Sequence, residues 1–128
     1  MAPTQKTRIL SVSSDAPLLR TRHMLLKNAG YDVDSVIGPV SGLALCKANG
    51  YQLLVLGHSI PVPDREKLIE EFRRHCRCSA ASVIALRSHA GDSLVRNADY
   101  QIEPDPEPLL ELISRIVQGN ATRPNGAH

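Results

Sequence analysis

The sequence predicts an α/β domain: a doubly wound, five-stranded parallel sheet with helices on both faces. Two observations carry this. Short runs rich in Val, Ile and Leu alternate with longer amphipathic stretches, five times over residues 7–118. Strand-then-helix repetition builds a parallel sheet, because a parallel crossover needs a connection long enough to hold a helix. Right-handed crossovers leave only a few topologies. The 128 residues suffice for one such domain and not for two. Residues 1–6 and 119–128 are polar and are expected to be flexible termini.

The first strand is expected at 7–12 ("TRILSV"), followed by the loop 13–15. Ser14 or Asp15 is placed to cap a helix with Pro17 in its first turn, and Gly30 stops that helix after about Asn28. Residues 31–37 ("YDVDSVI") alternate and read as the second strand. "GPVSGLALCKANG" is a shorter helix, weakened by Gly42 and ended by Gly50. The third strand is 51–56, where Leu53 to Leu56 are apolar without interruption and stop abruptly at Gly57. Asp64 is expected to cap the next helix, whose stripe is Leu68, Ile69, Phe72 and Cys76. "SVIAL", 82–86, is the fourth strand. The following "RSHAGDSLVRNA" has room for a fourth helix of only about two turns at ~1.5 Å per residue. "DYQIE", 99–103, is the fifth strand. Asp105 and Pro106 open the last helix, with the stripe Leu109, Leu110, Ile113, Ile116 and Val117.

Composition removes several function classes. A net charge of +2 argues against nucleic acid or an anionic membrane as the main partner. Three cysteines without framework spacing point to a reducing, cytoplasmic setting. The N-terminus has no signal-peptide core, and no apolar run is long enough to cross a bilayer.

In a doubly wound sheet, chemistry sits at the carboxyl ends of the strands, here the loops at 13–15, 57–63, 87–90 and 103–105. At those loops the chain resembles the receiver domain of two-component response regulators, over residues 7–118. The segments that carry the resemblance are "ILSVSSDAPLLR", "LLKNAGYDV", "YQLLVLGHSIPVPD", "SVIALRS" and "DYQIEPDPEPLLELI", in the right order and at nearly the right spacing. It implies a flavodoxin-like sheet with strand order 2-1-3-4-5. It also implies an acidic pair after the first strand, a phosphoacceptor aspartate ending the third, a Thr or Ser ending the fourth, and a Lys before proline ending the fifth.

Each of these is replaced. Ser13 and Ser14 stand where the acidic pair belongs, with Asp15 the one nearby carboxylate on that loop. Gly57 stands at the phosphoacceptor position, Arg87 at the hydroxyl position, and Glu103, before Pro104, at the lysine position. Phosphoryl transfer to a receiver needs a carboxylate nucleophile, a carboxylate-held Mg²⁺ and a cation for the developing charge. The expectation is a degenerate phosphorylation site in a pseudo-receiver: no enzyme, no cofactor and no metal. Arg87 and Glu103, on neighbouring strands, are expected to pair across the vacated pocket. Tyr100, three residues before Glu103, stands where the family has its switch aromatic; core packing is the equally weighted alternative.

Other chemistry is weaker. His75, Cys76, Cys78 and Cys46 lack zinc spacing. His58 beside Ser59 is not a triad without an oriented base. The cluster Arg73, Arg74, His75 and Arg77 reads as a solvated helix end, where cations suit the dipole.

The resemblance further implies a surface for partners: the face of the fourth helix, fifth strand and last helix. The chain shows no output domain, so a standalone receiver is expected to bind another signalling protein, with a homodimer also open. The alternative function is a small flavodoxin-like domain binding an anionic ligand, or having minor catalysis, in space opened by Gly57.

Overall fold

The structure, a computed structural model, describes residues 7–48, 51–75, 81–86, 98–103 and 105–118. In chain order these carry β1 (Arg8–Ser13), α1 (Ala16–Asn28), β2 (Asp32–Ile37), α2 (Pro39–Ala48) and β3 (Leu53–Leu56). Then come α3 (Val62–His75), β4 (Ser82–Leu86), β5 (Tyr100–Ile102) and α4 (Pro106–Gln118). The short helix expected within 87–98 and both terminal segments lie outside the described residues, apart from Ala98.

The five strands form one parallel sheet in the order β2-β1-β3-β4-β5. This is the doubly wound arrangement of flavodoxin-like folds. Each pleat sends alternate side chains to opposite faces. Leu10, Val12, Leu54, Leu56, Val83 and Ala85 meet Leu68, Ile69 and Phe72 in one core layer with α2 and α3. Ile9, Leu53, Val55, Ile84 and Leu86 meet Leu26, Leu109 and Ile113 in the other, beneath α1 and α4. The uninterrupted run Leu53–Leu56 is explained by β3 being central and buried on both faces.

Several boundaries differ from expectation for local reasons. Strand β1 reaches Ser13 rather than stopping at Val12, because Gly38 N–H donates to Ser13 O at 2.9 Å and continues the ladder. Asp64 does not cap α3. The helix begins two residues earlier, at Val62, with Pro63 in its first turn and Arg65 N–H donating to Pro61 O at 3.0 Å. Asp64 then lies in the first turn, where a carboxylate suits the helix dipole.

Gly42 is more than a weak point in α2. A Cβ there would lie 3.0 Å from both Leu68 Cδ2 and Val12 Cγ1, so the glycine sets how closely α2 packs on β1 and α3. Val117 leaves the expected stripe and is 46% exposed. Ile116, one residue before it, still packs against the core layer beneath α1 and α4, so only the end of the stripe is lost.

Two polar clusters tie the helices and strand starts. Asp99 Oδ2 accepts from Val83 N–H and from Arg73 Nη2, each at 2.8 Å, and so joins the end of α3 to β4 and β5. At the amino edge, Tyr51 Oη donates to Asp34 Oδ2 at 2.5 Å. Arg8 lies 4.7 Å from the Tyr51 ring centroid and pairs with Asp32 and Asp34. Among the described residues, no helix is long and apolar enough to cross a membrane.

Candidate functional site

The carboxyl edge of the sheet is closed by hydroxyls. Val12 and Leu56 are partners in the β1–β3 register, and Gly57 N–H donates to Val12 O at 2.8 Å, which brings Gly57 beside Ser13. A Cβ at Gly57 would stand 2.9 Å from Ser13 Oγ and 3.1 Å from Ser13 Cβ. The absence of a side chain at 57 therefore does not open space towards β1. Ser13, 1% exposed, takes it up.

Ser13 Oγ accepts from Asp15 N–H at 3.1 Å and lies 3.3 Å from Ser59 Oγ. Ser59 Oγ in turn accepts from Ser14 N–H at 3.2 Å. These contacts latch the loop after β1 onto the loop after β3. Asp15 is used as the α1 cap, its Oδ1 accepting from Leu18 N–H at 3.1 Å. Of the two capping candidates, Asp15 takes the role, and Ser14 is exposed.

The oxygens gathered here are hydroxyls already hydrogen-bonded to one another and to main chain. A hard divalent cation takes carboxylate and carbonyl oxygens, and these residues do not make such a donor set. Among the described residues, no group of three or more His, Cys, Asp or Glu is arranged to hold a metal. Ser59, considered with His58 as a nucleophile, spends its hydroxyl on Ser13 and Ser14. His58 Nδ1 is buried without a hydrogen-bond partner among the described residues, and no relay joins it to Ser59.

A second closing group was not expected from the sequence. Arg65, 4% exposed, donates from Nη1 to the carbonyl of Leu86, the last residue of β4, at 2.8 Å. It ties the start of α3 to the strand end from which the fourth loop departs. A signal existed: position 65 continues the stripe of Leu68, Ile69 and Phe72 by one turn, so a cation sits on an apolar face.

The remaining site residues separate. Tyr100 is 5% exposed and packs in the α1–α4 core layer. Glu103 is exposed beyond the end of β5. Arg87, and with it the pair Arg87–Glu103, lies outside the described residues. So do Cys76, Arg77 and Cys78. Cys46 is buried in α2, where burial first and the charge of Glu71 second push its thiol up to about 12. The basic end of α3 is not simply solvated. Arg73 pairs with Asp99, Arg74 with Glu70 and Glu71, and His75 Nε2 lies 3.4 Å from Glu71 Oε1.

No protein-family model matches the sequence. No curated protein matches it as a relative. Solved structures do match. One is the receiver domain of a sensor histidine kinase from Pseudomonas aeruginosa PAO1, solved with magnesium coordinated in its active-site cleft. It has a TM-score of 0.76 at 17% identity, over 89% of this chain and 99% of that one. A CheY-like receiver domain from Methylobacillus flagellatus gives 0.75 at 18%, over 88% and 99%. A third, also CheY-like, from Methanospirillum hungatei JF-1 gives 0.73 at 23%, over 91% and 97%. With the strand order and the two core layers, these likenesses establish that the chain has the fold of a response-regulator receiver domain.

Proposed function

We propose that this chain is a degenerate receiver, a signal-transduction module that accepts no aspartyl phosphate and acts by binding a protein partner independently of phosphorylation. The observation that carries the reading is the contact of Gly57 with Ser13. The position of the phosphoacceptor carboxylate has no side chain, and a Cβ there would stand 2.9 Å from the hydroxyl of a buried serine. Ser13 and Ser14 bring no charge for a metal, and the one acidic side chain of that loop is spent as a helix cap. The loop held by Ser59 and the strand end held by Arg65 are tied without a phosphate. On this reading the domain is not an enzyme, needs no cofactor and presents one fixed state of its surface. The partner is a signalling protein, and the face that includes β5 and α4 is the one it contacts. A homodimer through the same face is compatible with this role.

A ligand-binding domain is the other reading; it rests on free space beside Gly57 and on Arg87 as a cation for an anion, and Arg87 lies outside the described residues. Ser13 fills that side, so the observation favours the interaction module.

The test is treatment with acetyl phosphate and Mg²⁺, followed by intact mass, alongside beryllofluoride addition followed by an amide correlation spectrum. The expected result is an unchanged mass and an unchanged spectrum. A phosphorylated species labile to hydroxylamine would overturn the reading.

A further inference from the structure

Arg22 has no role in the carboxyl-edge site, yet it is one of the few charged side chains inside the molecule. It lies on α1, 6% exposed, between the buried Leu19 and Leu26. Its Nη1 is buried and has no hydrogen-bond partner among the described residues. The guanidinium keeps its charge at any ordinary pH. Leaving such a group desolvated and unpaired is costly, so a partner for it is the natural thing to seek.

Asp15 is the acidic group whose field reaches Arg22. Burial lowers the Arg22 pKa, and Asp15 works against that lowering. The Asp15 carboxylate, however, is held at Leu18 N–H, and no ion pair joins it to Arg22 among the described residues. The field is present and the direct partner is not.

Beside Arg22 is a hollow of about 60 Å³ between α1 and α4, lined by Leu18, Thr21, Arg22, Leu25, Pro106 and Leu109. Cavities that hold a single water need only about 10–15 Å³ by a comparable measure, so there is room for a group of several heavy atoms. Among the described residues the wall is aliphatic apart from Arg22 and Thr21, and the Thr21 hydroxyl donates to Pro17 O at 3.0 Å. Among them, Arg22 supplies the one cationic side chain of that wall. Its planar fork suits a carboxylate. Asp105 and Glu107 flank Pro106 in sequence, and Asp15 adds a third negative charge, so a multiply charged anion is disfavoured.

We propose that the hollow between α1 and α4 is a binding site for a monocarboxylate on a short aliphatic stem, with Arg22 as its counter-ion and the leucines as its walls. The stem can belong to a free short-chain acid or to an acidic side chain. The hollow lies beside the starts of α1 and α4 and uses none of Ser13, Gly57 or Ser59.

The experiment uses the full chain with methyl-labelled leucines, titrated at constant ionic strength with propionate, N-acetylglutamate amide, propionamide and inorganic phosphate. Propionate or the glutamate derivative should shift the Leu18, Leu25 and Leu109 methyls saturably. Tighter binding of propionate assigns the site to a free acid, and tighter binding of the glutamate derivative assigns it to a side chain. Arg22→Leu should abolish the saturable response. Arg22→Lys, which keeps the charge and loses the fork, should weaken it about tenfold, the worth of roughly one charge-assisted hydrogen bond. If Arg22→Leu does not fold, Arg22→Lys alone decides. No saturable shift with either carboxylate overturns the proposal. So does an equal shift with propionamide or phosphate, or an undiminished response in the folded variants.

Discussion

A side chain at position 57 would have to enter a space where Ser13 Oγ already stands 2.9 Å from the Cβ position. Ser13 is buried and hydrogen-bonded, so it yields only by disturbing the loop after β1. Gly57→Ala should therefore destabilise the domain by about 1–3 kcal/mol, the usual range for overpacking. In a Ser13→Gly background the same substitution should cost less, and a double-mutant cycle by urea denaturation measures the difference. Additive effects would show that the two residues do not crowd each other. Gly57→Asp should give no phosphorylation by acetyl phosphate. That variant carries a carboxylate at 57, but Ser13 and Ser14 offer no acidic pair for Mg²⁺. A hydroxylamine-labile mass increase in that variant would count against this.

Helix α3 is tied to the sheet at both of its ends. Its early turns carry Asp64 and Glu66, and its last turn carries Arg73, Arg74 and His75, in the sense that suits the helix dipole. One face buries Arg65, Leu68, Ile69 and Phe72. Arg65 reaches β4 at one end and Arg73 reaches Asp99 at the other. Phe72, 2% exposed, is the sole phenylalanine and fills the layer between α3 and the sheet. Phe72→Ala should cost about 3–5 kcal/mol. A denaturation midpoint that barely moves would place this face wrongly.

Stability of the whole molecule should fall at alkaline pH, and the amino edge is where the fall begins. Tyr51 is pushed up to about 12, by burial first and then by its hydrogen bond to Asp34. The unfolded phenol titrates near 10. A folded pKa above the unfolded one means the native state binds the proton more tightly. The contribution is complete below about pH 10 and is lost as pH rises towards 12. Cys46, pushed up to about 12 by burial, has the same sign over a window that opens lower, because a free thiol titrates below a phenol. Tyr51→Phe should flatten the decline between pH 10 and 12 relative to the parent, read as the urea midpoint at each pH. A slope unchanged by that substitution would remove Tyr51 as the cause.

Strand and helix alternation, the uninterrupted apolar run Leu53–Leu56, a cap at Ser14 or Asp15 and the Leu68, Ile69 and Phe72 stripe on α3 were legible in the sequence. Each depends on residues within a few positions of one another, where period and capping chemistry act directly. The lack of a carboxylate at Ser13, Ser14 and Gly57 was legible too, since residue type alone says so. What filled the gap was not. Ser13 and Ser59 are 46 residues apart, and Arg65 and Leu86 are 21 apart, so their contacts exist only once the strand order sets β1 and β4 on either side of β3. Local pattern does not mark Arg22 as special. Its burial against α4 depends on the crossover that lays the last helix on the same face as the first. Local pattern determined which elements form. Parallel pairing between distant segments decided which side chains face one another, because contact across a sheet is set by register and topology rather than by sequence distance.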